Sequence, residues 1–183
     1  MTSDDVLTRL ARIEAYHAIQ QLPIRYALAV DGRDLDAWVG LFVPDVDMGR
    51  RGRGRDVLRS YIEPQLRWFY RSIHQIVGHR IELVDDECAT GAVYCRAEHE
   101  VGDRWIVMAI CYFDDYRRVG DDWFFARRAE KHWYAADVLE RPQAVDFDSW
   151  GTSGGRPVLP HSFATWTDFF DDAGATLDIT SHP

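Results

Sequence analysis

The sequence predicts an α+β domain in which helices pack on one face of a curved antiparallel sheet. Apolar residues recur every three or four positions up to about residue 70, which is the period of a helix. From residue 72 to residue 134, apolar and polar residues alternate instead, which is the period of a strand. Short polar turns divide this second region into four segments, so helices come first and an antiparallel meander follows.

Three helices are predicted in the first part of the chain. The first covers residues 4–30 and contains Pro23, which lacks an N–H group and is expected to kink or divide it. Gly32 ends this helix, and Asp34 begins a second one. Asp56 has the side chain of an N-cap residue and is predicted to start the third. Between the second and third helices, a short strand is expected at residues 43–48 and a solvated hairpin loop at residues 49–55.

Four strands are predicted from the alternating pattern, at residues 72–84, 89–101, 104–118 and 122–134. Beyond them the chain becomes irregular, because glycine and proline interrupt it repeatedly. We therefore divide the sequence into a domain of residues 1–134 and a C-terminal extension of residues 135–183. The extension is expected to pack on the mouth of a pocket or on a neighbouring subunit.

The composition indicates one globular domain and argues against a nucleic-acid partner. The chain has 183 residues, of which 46% are hydrophobic, and a net charge of −9. Its three cysteines lack metal-ligand spacing and are interpreted as reduced thiols of a cytoplasmic protein. No apolar run is long enough to cross a membrane, so we expect a soluble protein without a membrane partner.

An acidic side chain near the end of the first helix is the first candidate for chemistry. Asp31 lies between Val30 and the helix-ending Gly32, an unusual place for an acid in a plain apolar core. His74 opens the first strand and is expected to be its partner. A carboxylate that accepts one ring N–H of a histidine fixes the tautomer and leaves the other nitrogen as a base. Strict alternation places His79 on the opposite face of the strand, away from His74.

Five motifs occur along the chain in a fixed order. They are Arg25-Tyr26 with Asp31, residues 31–34 followed by Leu41-Phe42, the strand-opening His74, Tyr112-x-Asp114, and residues 122–125. Their order resembles that of the SnoaL-like (polyketide-cyclase-like) branch of the nuclear transport factor 2 (NTF2) / ketosteroid isomerase superfamily. The resemblance covers roughly residues 8–134. It implies a cone of curved antiparallel sheet with three helices, the cystatin-like α+β barrel, around an apolar pocket.

The resemblance also implies an eliminating enzyme. We expect no cofactor and no metal, because the histidines and acids lack metal-ligand spacing and the reaction does not need one. Scytalone dehydratases and hexachlorocyclohexane dehydrochlorinases pair a helix-end aspartate with a strand histidine, which Asp31 and His74 match. Bile-acid 7α-dehydratases add a tyrosine at the position of Tyr26. These parallels identify Asp31, His74 and Tyr26 as the predicted catalytic residues. His99, at the spacing of a second pocket histidine, is a predicted substrate-binding residue.

The predicted function is a lyase that removes a leaving group β to a carbonyl or similar activating group, as a dehydratase does. His74 would take the C–H proton, Asp31 would hold the ring, and Tyr26 would donate a hydrogen bond to the oxygen that gains charge. Tyr112 and Asp114 are added as substrate-binding candidates. The expected substrate is a small, apolar, ring-containing molecule such as a polyketide or a steroid-like compound.

Two other functions stay open at this point. The same pair could shift a double bond or close a ring, which would make the protein an isomerase or a cyclase. Alternatively, it could be a non-catalytic NTF2-like binding partner or small subunit, in which His74 is a structural histidine. The remaining histidines have no partner spacing and are interpreted as structural or solvated: His17, His79, His132, His161 and His182. Apolar residues on both faces of the third strand predict a homodimer or homotrimer.

Overall fold

The computed structural model describes residues 2–142 and 163–165, and it has the predicted α+β architecture. Three helices precede four strands, which pair antiparallel in the order β1-β2-β3-β4 as a curved open sheet. The elements are α1 (Ser3–Asp31), α2 (Leu35–Gly40), α3 (Arg55–Leu66), β1 (Ser72–Leu83), β2 (Cys88–Val101), β3 (Arg104–Val119) and β4 (Asp122–Asp137). The four predicted strands are confirmed, with β4 extending further than expected.

Helix α1 starts with a capping box and continues through Pro23. The Thr2 hydroxyl accepts the N–H of Asp5 at 3.2 Å, and the Asp5 carboxylate accepts the N–H of Thr2 at 2.8 Å. From Ile19 onward one side of the helix is buried in the core, and Pro23 belongs to that side. The helix is one element from Ser3–Asp31, so the predicted division at Pro23 does not occur.

Arg33, rather than Gly32, adopts the left-handed conformation in the turn between α1 and α2. Its φ is +58°, whereas Gly32 remains helical at −79°. The Arg33 guanidinium donates to the Val30 carbonyl at 2.6 Å and to two carbonyls that precede β1. These hydrogen bonds offset the free-energy cost of the left-handed backbone conformation. Asp34 then caps α2, as predicted, by accepting the N–H of Ala37 at 2.9 Å.

The N-cap of α3 is Gly54, so the prediction of Asp56 was wrong. Helix α3 begins at Arg55, and Asp56 lies in its first turn. Gly54 has a φ of +103°, which glycine accommodates without steric cost. The Arg55 side chain donates to the carbonyls of Gly40 and Phe42 at 3.0 and 2.8 Å, and this joins the start of α3 to the end of α2.

The segment after α2 lies beside β4 without forming the predicted strand. Phe42 makes an isolated parallel bridge to Phe125, and the backbone N–H of Val43 donates to the Phe125 carbonyl at 2.9 Å. Residues 47–53 close a tight turn that contains a short 3-10 helix, consistent with the predicted hairpin loop.

A β-bulge at Val77 reverses the facing of side chains along β1. Ile76 pairs with Cys95 and Gly78 pairs with Tyr94, which leaves Val77 as one extra residue. His79 therefore turns to the inner face, where its Nε2 lies 2.9 Å from the hydroxyl of a buried tyrosine. The prediction that His79 faces away from His74 was wrong, because strict alternation holds only in an unbroken ladder.

Two clusters of buried apolar residues lie inside the curved sheet. The larger joins α1, α2 and the start of β4, and includes Ile19, Leu22, Tyr26, Trp38, Phe42, Tyr116 and Phe125. The smaller covers the middle of β2 and β3 and consists of Val93, Cys95, Ala97, Ile106, Met108, Ile110 and Tyr112, with Ala135 from β4. Residues of both clusters line the same internal cavity.

One short piece of the C-terminal extension contacts the outer side of the sheet. The ring of Phe163 lies 6.0 Å from that of Phe113 and 6.1 Å from that of Trp133, measured between centroids. Phe113 points away from the cavity, because its neighbour Tyr112 lines it and successive strand residues alternate. The rest of the predicted extension, residues 143–162 and 166–183, lies outside the described residues. In the described ranges, no helix is long and apolar enough to span a bilayer.

Candidate active site

A cavity of about 620 Å³ is enclosed by the inner face of the sheet, the second half of α1, and α3 with the segment that follows it. Its wall is mainly aromatic and aliphatic, with a few polar side chains from β1, β2 and β4. The lining residues are Tyr26, Val30, Arg51, Tyr61, Ile62, Gln65, Leu66, Trp68, Phe69, His74, His99, Met108, Ile110, Tyr112, Glu130 and His132. This volume is within the range of pockets that bind small organic molecules.

Asp31 and His74 are in direct contact at one side of this cavity. Asp31 Oδ1 lies 2.7 Å from His74 Nδ1, and Asp31 Oδ2 accepts the backbone N–H of His74 at 2.8 Å. A carboxylate can only accept a hydrogen bond, so Nδ1 carries the ring proton and Nε2 of a neutral ring holds the lone pair. Only 7% of the His74 side chain is exposed. The contact expected from the sequence is therefore present, and it leaves Nε2 as a base.

Ser72 and Arg33 hold the Asp31 carboxylate in place. The Ser72 hydroxyl donates to Asp31 Oδ1 at 2.8 Å and accepts from Arg33 Nη1 at 2.9 Å. Burial raises the pKa of Asp31, but hydrogen bonds from the His74 ring, the His74 N–H and Ser72 outweigh burial and lower the pKa below its usual value. Asp31 is thus an anion at neutral pH and a fixed acceptor for the ring.

His99 lies beside His74 on the neighbouring strand β2 and lines the same cavity. Its ring centroid is 5.3 Å from that of His74 and 4.6 Å from that of Phe69. The side chain is buried, with 4% of the residue exposed. Burial, and then the nearby charge of His74, lower the pKa of His99 to about 3. His99 is therefore neutral, and it offers the cavity a polar but uncharged ring.

Tyr26 and Tyr112 line the cavity, and both rings contact a buried arginine that the sequence analysis missed. The Arg128 guanidinium carbon lies 4.4 Å from the Tyr26 ring centroid and 4.2 Å from those of Tyr112 and Phe125. Burial raises the pKa of Tyr26 to about 12, although the Arg128 charge acts in the opposite direction. The Tyr26 hydroxyl consequently keeps its proton at neutral pH and can donate it in a hydrogen bond.

Asp114 is not among the residues that line the cavity, although the sequence analysis predicted substrate binding for it. Its carboxylate accepts from Arg128 Nε at 2.8 Å and Arg128 Nη2 at 2.6 Å, and from the Tyr116 hydroxyl at 2.9 Å. The side chain is completely buried behind the cavity wall. Asp114 is therefore placed to fix the position of Arg128, and through it the two tyrosine rings.

Glu130 and His132 form a second carboxylate–imidazole contact in the cavity, which the sequence analysis did not identify. His132 Nε2 lies 2.5 Å from Glu130 Oε1, and both residues line the cavity from β4. Burial raises the pKa of Glu130. The hydrogen bond with His132 and the charges of the histidines at positions 132, 74 and 99 outweigh burial, so the pKa lies below its usual value. The Glu-x-His spacing, which puts both side chains on one face of a strand, was the available signal.

Two polar pairs in this cavity are suited to acid–base chemistry. Each brings one carboxylate and one imidazole into contact, Asp31 with His74 and Glu130 with His132. Within residues 2–142 and 163–165, no three His, Cys, Asp or Glu side chains converge as a metal site requires.

Solved structures with the same fold include proteins named as eliminating enzymes. The hexachlorocyclohexane dehydrochlorinase LinA-type3 of Novosphingobium barchaimii is 20% identical, with a TM-score of 0.64, over 73% of this chain and 96% of that one. A putative scytalone dehydratase of Novosphingobium aromaticivorans is 22% identical, with a TM-score of 0.61, over 72% and 93%. A cystatin-like protein of unknown function from Nostoc punctiforme is 20% identical, with a TM-score of 0.54, over 64% and 90%. At these identities the similarity establishes the fold.

The family assignment comes from the sequence itself. A comparison with curated proteins found no significant match. The SnoaL-like domain family, however, matches residues 11–129, which include most of α1, both members of the Asp31–His74 pair and most of the sheet. The protein belongs to the SnoaL-like family of the NTF2-like superfamily.

Proposed function

We propose that the protein is a lyase that removes a leaving group β to a carbonyl or similar activating group, without a cofactor. The observation that carries this proposal is the 2.7 Å contact between Asp31 and His74 at the wall of an apolar cavity. His74 Nε2 accepts the acidic C–H proton, and the Asp31 carboxylate stabilises the imidazolium that forms. The electron pair of the broken C–H bond then forms the double bond as the leaving group departs.

Tyr26 supplies the hydrogen bond that the developing negative charge requires. Tyr26 belongs to the cavity wall, and its hydroxyl stays protonated at neutral pH. The Arg128 guanidinium stacked on its ring contributes positive charge close to that wall, and Asp114 keeps the guanidinium in position. An oxygen that gains charge in the transition state is stabilised more than the ground-state carbonyl, which is the condition for rate acceleration.

The cavity favours a rigid, mostly apolar substrate. Tyr61, Phe69, Met108 and Ile110 provide flat and aliphatic surface, while His99 is neutral and can orient a single polar group. The volume of about 620 Å³ accommodates a molecule of several fused rings. A polyketide or steroid-like compound is therefore the proposed substrate class.

The geometry favours an enzyme over a non-catalytic binding module. A binding module has no need for a buried Asp–His pair, and a solvated or separated pair would have supported that function. Here the two side chains are in contact, and His74 is almost completely shielded from bulk solvent. An isomerase or cyclase remains the second candidate, because the same base can return its proton to another carbon of the substrate.

Proton abstraction can be tested without knowing the natural substrate. Cyclic ketones of one to four fused rings, with and without a β leaving group, are incubated with the protein in D₂O. We expect deuterium at the α carbon of ketones without a leaving group. Ketones with a leaving group should give an unsaturated product. His74→Ala should abolish both signals. Deuterium found at a new position, without loss of the leaving group, would identify an isomerase. The absence of both exchange and an unsaturated product with every ketone would contradict the lyase proposal.

A further inference from the structure

The Glu130–His132 contact lies across the cavity from Asp31 and His74. His74 belongs to β1 and the second pair belongs to β4, and these are the two edge strands of the sheet. In the ladder between β3 and β4, His132 pairs with Ile110 and Glu130 with Tyr112, both of which line the cavity. The two carboxylate–imidazole contacts therefore approach one cavity from opposite sides.

The curvature of the sheet brings the two sides within reach of one ligand. Three interstrand steps separate β1 from β4, which is roughly 14 Å along a flat sheet. The sheet is curved and both histidine side chains point inward, so the distance between their rings is shorter. Glu130 is in fact close enough to His74 and His99 for their charges to act on its carboxylate. A ring-shaped ligand between the strands can thus touch both pairs.

The Glu130 carboxylate is accessible to a ligand, whereas the carboxylate of a purely structural ion pair in a core is not. Its Oε1 accepts from His132, yet 41% of the side-chain surface remains accessible. Because Glu130 lines the cavity, this accessible surface is offered to whatever the cavity holds. His132 already meets one carboxylate oxygen, and the accessible remainder of the carboxylate can accept a hydrogen bond from a ligand.

Elimination needs a second polar group only for certain leaving groups. Chloride leaves as a stable anion, so a base alone can remove hydrogen chloride. Hydroxide is a poor leaving group, so loss of a hydroxyl requires a proton at the departing oxygen. A cavity with a base at one side and an imidazole–carboxylate pair at the other has both parts of a dehydration site.

We propose that His132, held by Glu130, is the general acid that protonates a leaving hydroxyl, which makes the substrate a β-hydroxy carbonyl compound. This inference rests on the proposed lyase function and adds the second half of the reaction. His74 Nε2 takes the α proton, the C–H electron pair forms the C=C bond, and the C–O pair leaves with the oxygen. That oxygen takes a proton from the protonated His132 ring and departs as water. The proton on His74 then returns to His132 through solvent, which restores both rings.

The test compares two leaving groups in the same protein. Fused-ring ketones that carry either a β-hydroxyl or a β-chloro group are the probes, and the readout is the ratio of the two elimination rates. We expect Glu130→Gln and His132→Gln each to lower the hydroxyl-to-chloride ratio about 100-fold. The matched control is Glu82→Gln, an exposed carboxylate of β1 that is paired with Arg80, and it should leave the ratio unchanged. Melting temperatures are measured on all variants.

The outcomes separate this inference from the function on which it rests. An unchanged ratio in the Glu130 and His132 variants, or an equal loss of both reactions, would overturn the role of His132 as acid. Elimination of chloride without any elimination of hydroxide by the wild type would also overturn it, while supporting a lyase. Absence of both reactions would refute the proposed function itself, and the inference with it.

Discussion

Asp31 contacts His74 twice, once through the ring nitrogen at 2.7 Å and once through the backbone N–H at 2.8 Å. The same carboxylate thus attaches the start of β1 to the end of α1 and selects the tautomer of the histidine. Asp31 therefore contributes both to the stability of the fold and to the proposed reaction. Variants of Asp31 and His74 should differ in their effects on melting temperature and on turnover.

Asp31→Asn is expected to lower both stability and turnover. The neutral amide places donor hydrogens against groups that already donate, so unfolding should become easier by about 1–3 kcal/mol. His74→Ala keeps the contacts of Asp31 with Ser72 and the backbone, and should lower the melting temperature less. Its turnover should nevertheless fall by about 10²–10⁴-fold. Calorimetry and rate measurements on the same samples test this. Retained activity per folded molecule in His74→Ala would contradict the catalytic role.

Arg33 provides a second prediction, in which backbone and side-chain effects oppose each other. Arg33→Gly relieves the left-handed backbone conformation, a gain of about 1–2 kcal/mol over Arg33→Ala. Both variants lose the guanidinium contacts with Ser72 and three carbonyls. We therefore expect both to be less stable than the wild type, with the glycine variant the more stable of the two. Urea unfolding measures this order, and Arg67→Ala, an exposed arginine paired with Glu63, is the control.

The Asp114–Arg128 pair should show strong coupling. Both side chains are buried, with 0% and 5% exposed. Arg128→Met leaves the Asp114 carboxylate buried without its partner, at a cost of about 3–5 kcal/mol. Adding Asp114→Leu removes the unpaired charge, so the double variant should recover much of that loss. A double-mutant cycle by chemical unfolding tests the coupling, and additive losses would contradict it.

His99 should make the protein less stable in mild acid. Its pKa is about 3 in the folded state and near 6.5 when exposed, so below pH 6.5 the unfolded chain binds a proton that the folded chain does not. The contribution of His99 is therefore complete above pH 6.5, and declines by up to about 1.4 kcal/mol per pH unit down to about pH 3. His99→Phe should flatten this part of the stability curve. Parallel curves for wild type and variant between pH 6.5 and 4 would refute the prediction.

The architecture could be predicted from the sequence because, within most elements, apolar residues recur with the period of either a helix or a strand. Asp34 caps its helix as expected, and the four strands appear where apolar and polar residues alternate. The departures occur where tertiary contacts override a local preference. Arg33 takes a conformation typical of glycine because its side chain meets four acceptors, which lie 36 to 39 residues away or in the preceding turn.

The candidate site was predictable only in part, for a related reason. Asp31 and His74 occupy conspicuous places, a helix end and a strand start, and a carboxylate next to a histidine is a simple pairing to expect. Arg128 and Glu130 sit within a run of charged residues on β4, which looks like a solvated strand. Alternation along β4 places Arg128 and Glu130 on one face of the strand, but only the packing of the whole sheet determines that this face is the inner one.

The single extra residue at Val77 lets strand β1 pack against both buried clusters with side chains on its inner face. Before it, Ile76 packs with the cluster around β2 and β3, and after it Ile81 and Leu83 pack with the larger cluster around the helices. The bulge keeps His79, Ile81 and Leu83 on the inner face, because in a regular ladder that included Val77 these three residues would face outward. The part of β1 that contains His74 and the part that packs against the helices are thus separated by one unpaired residue.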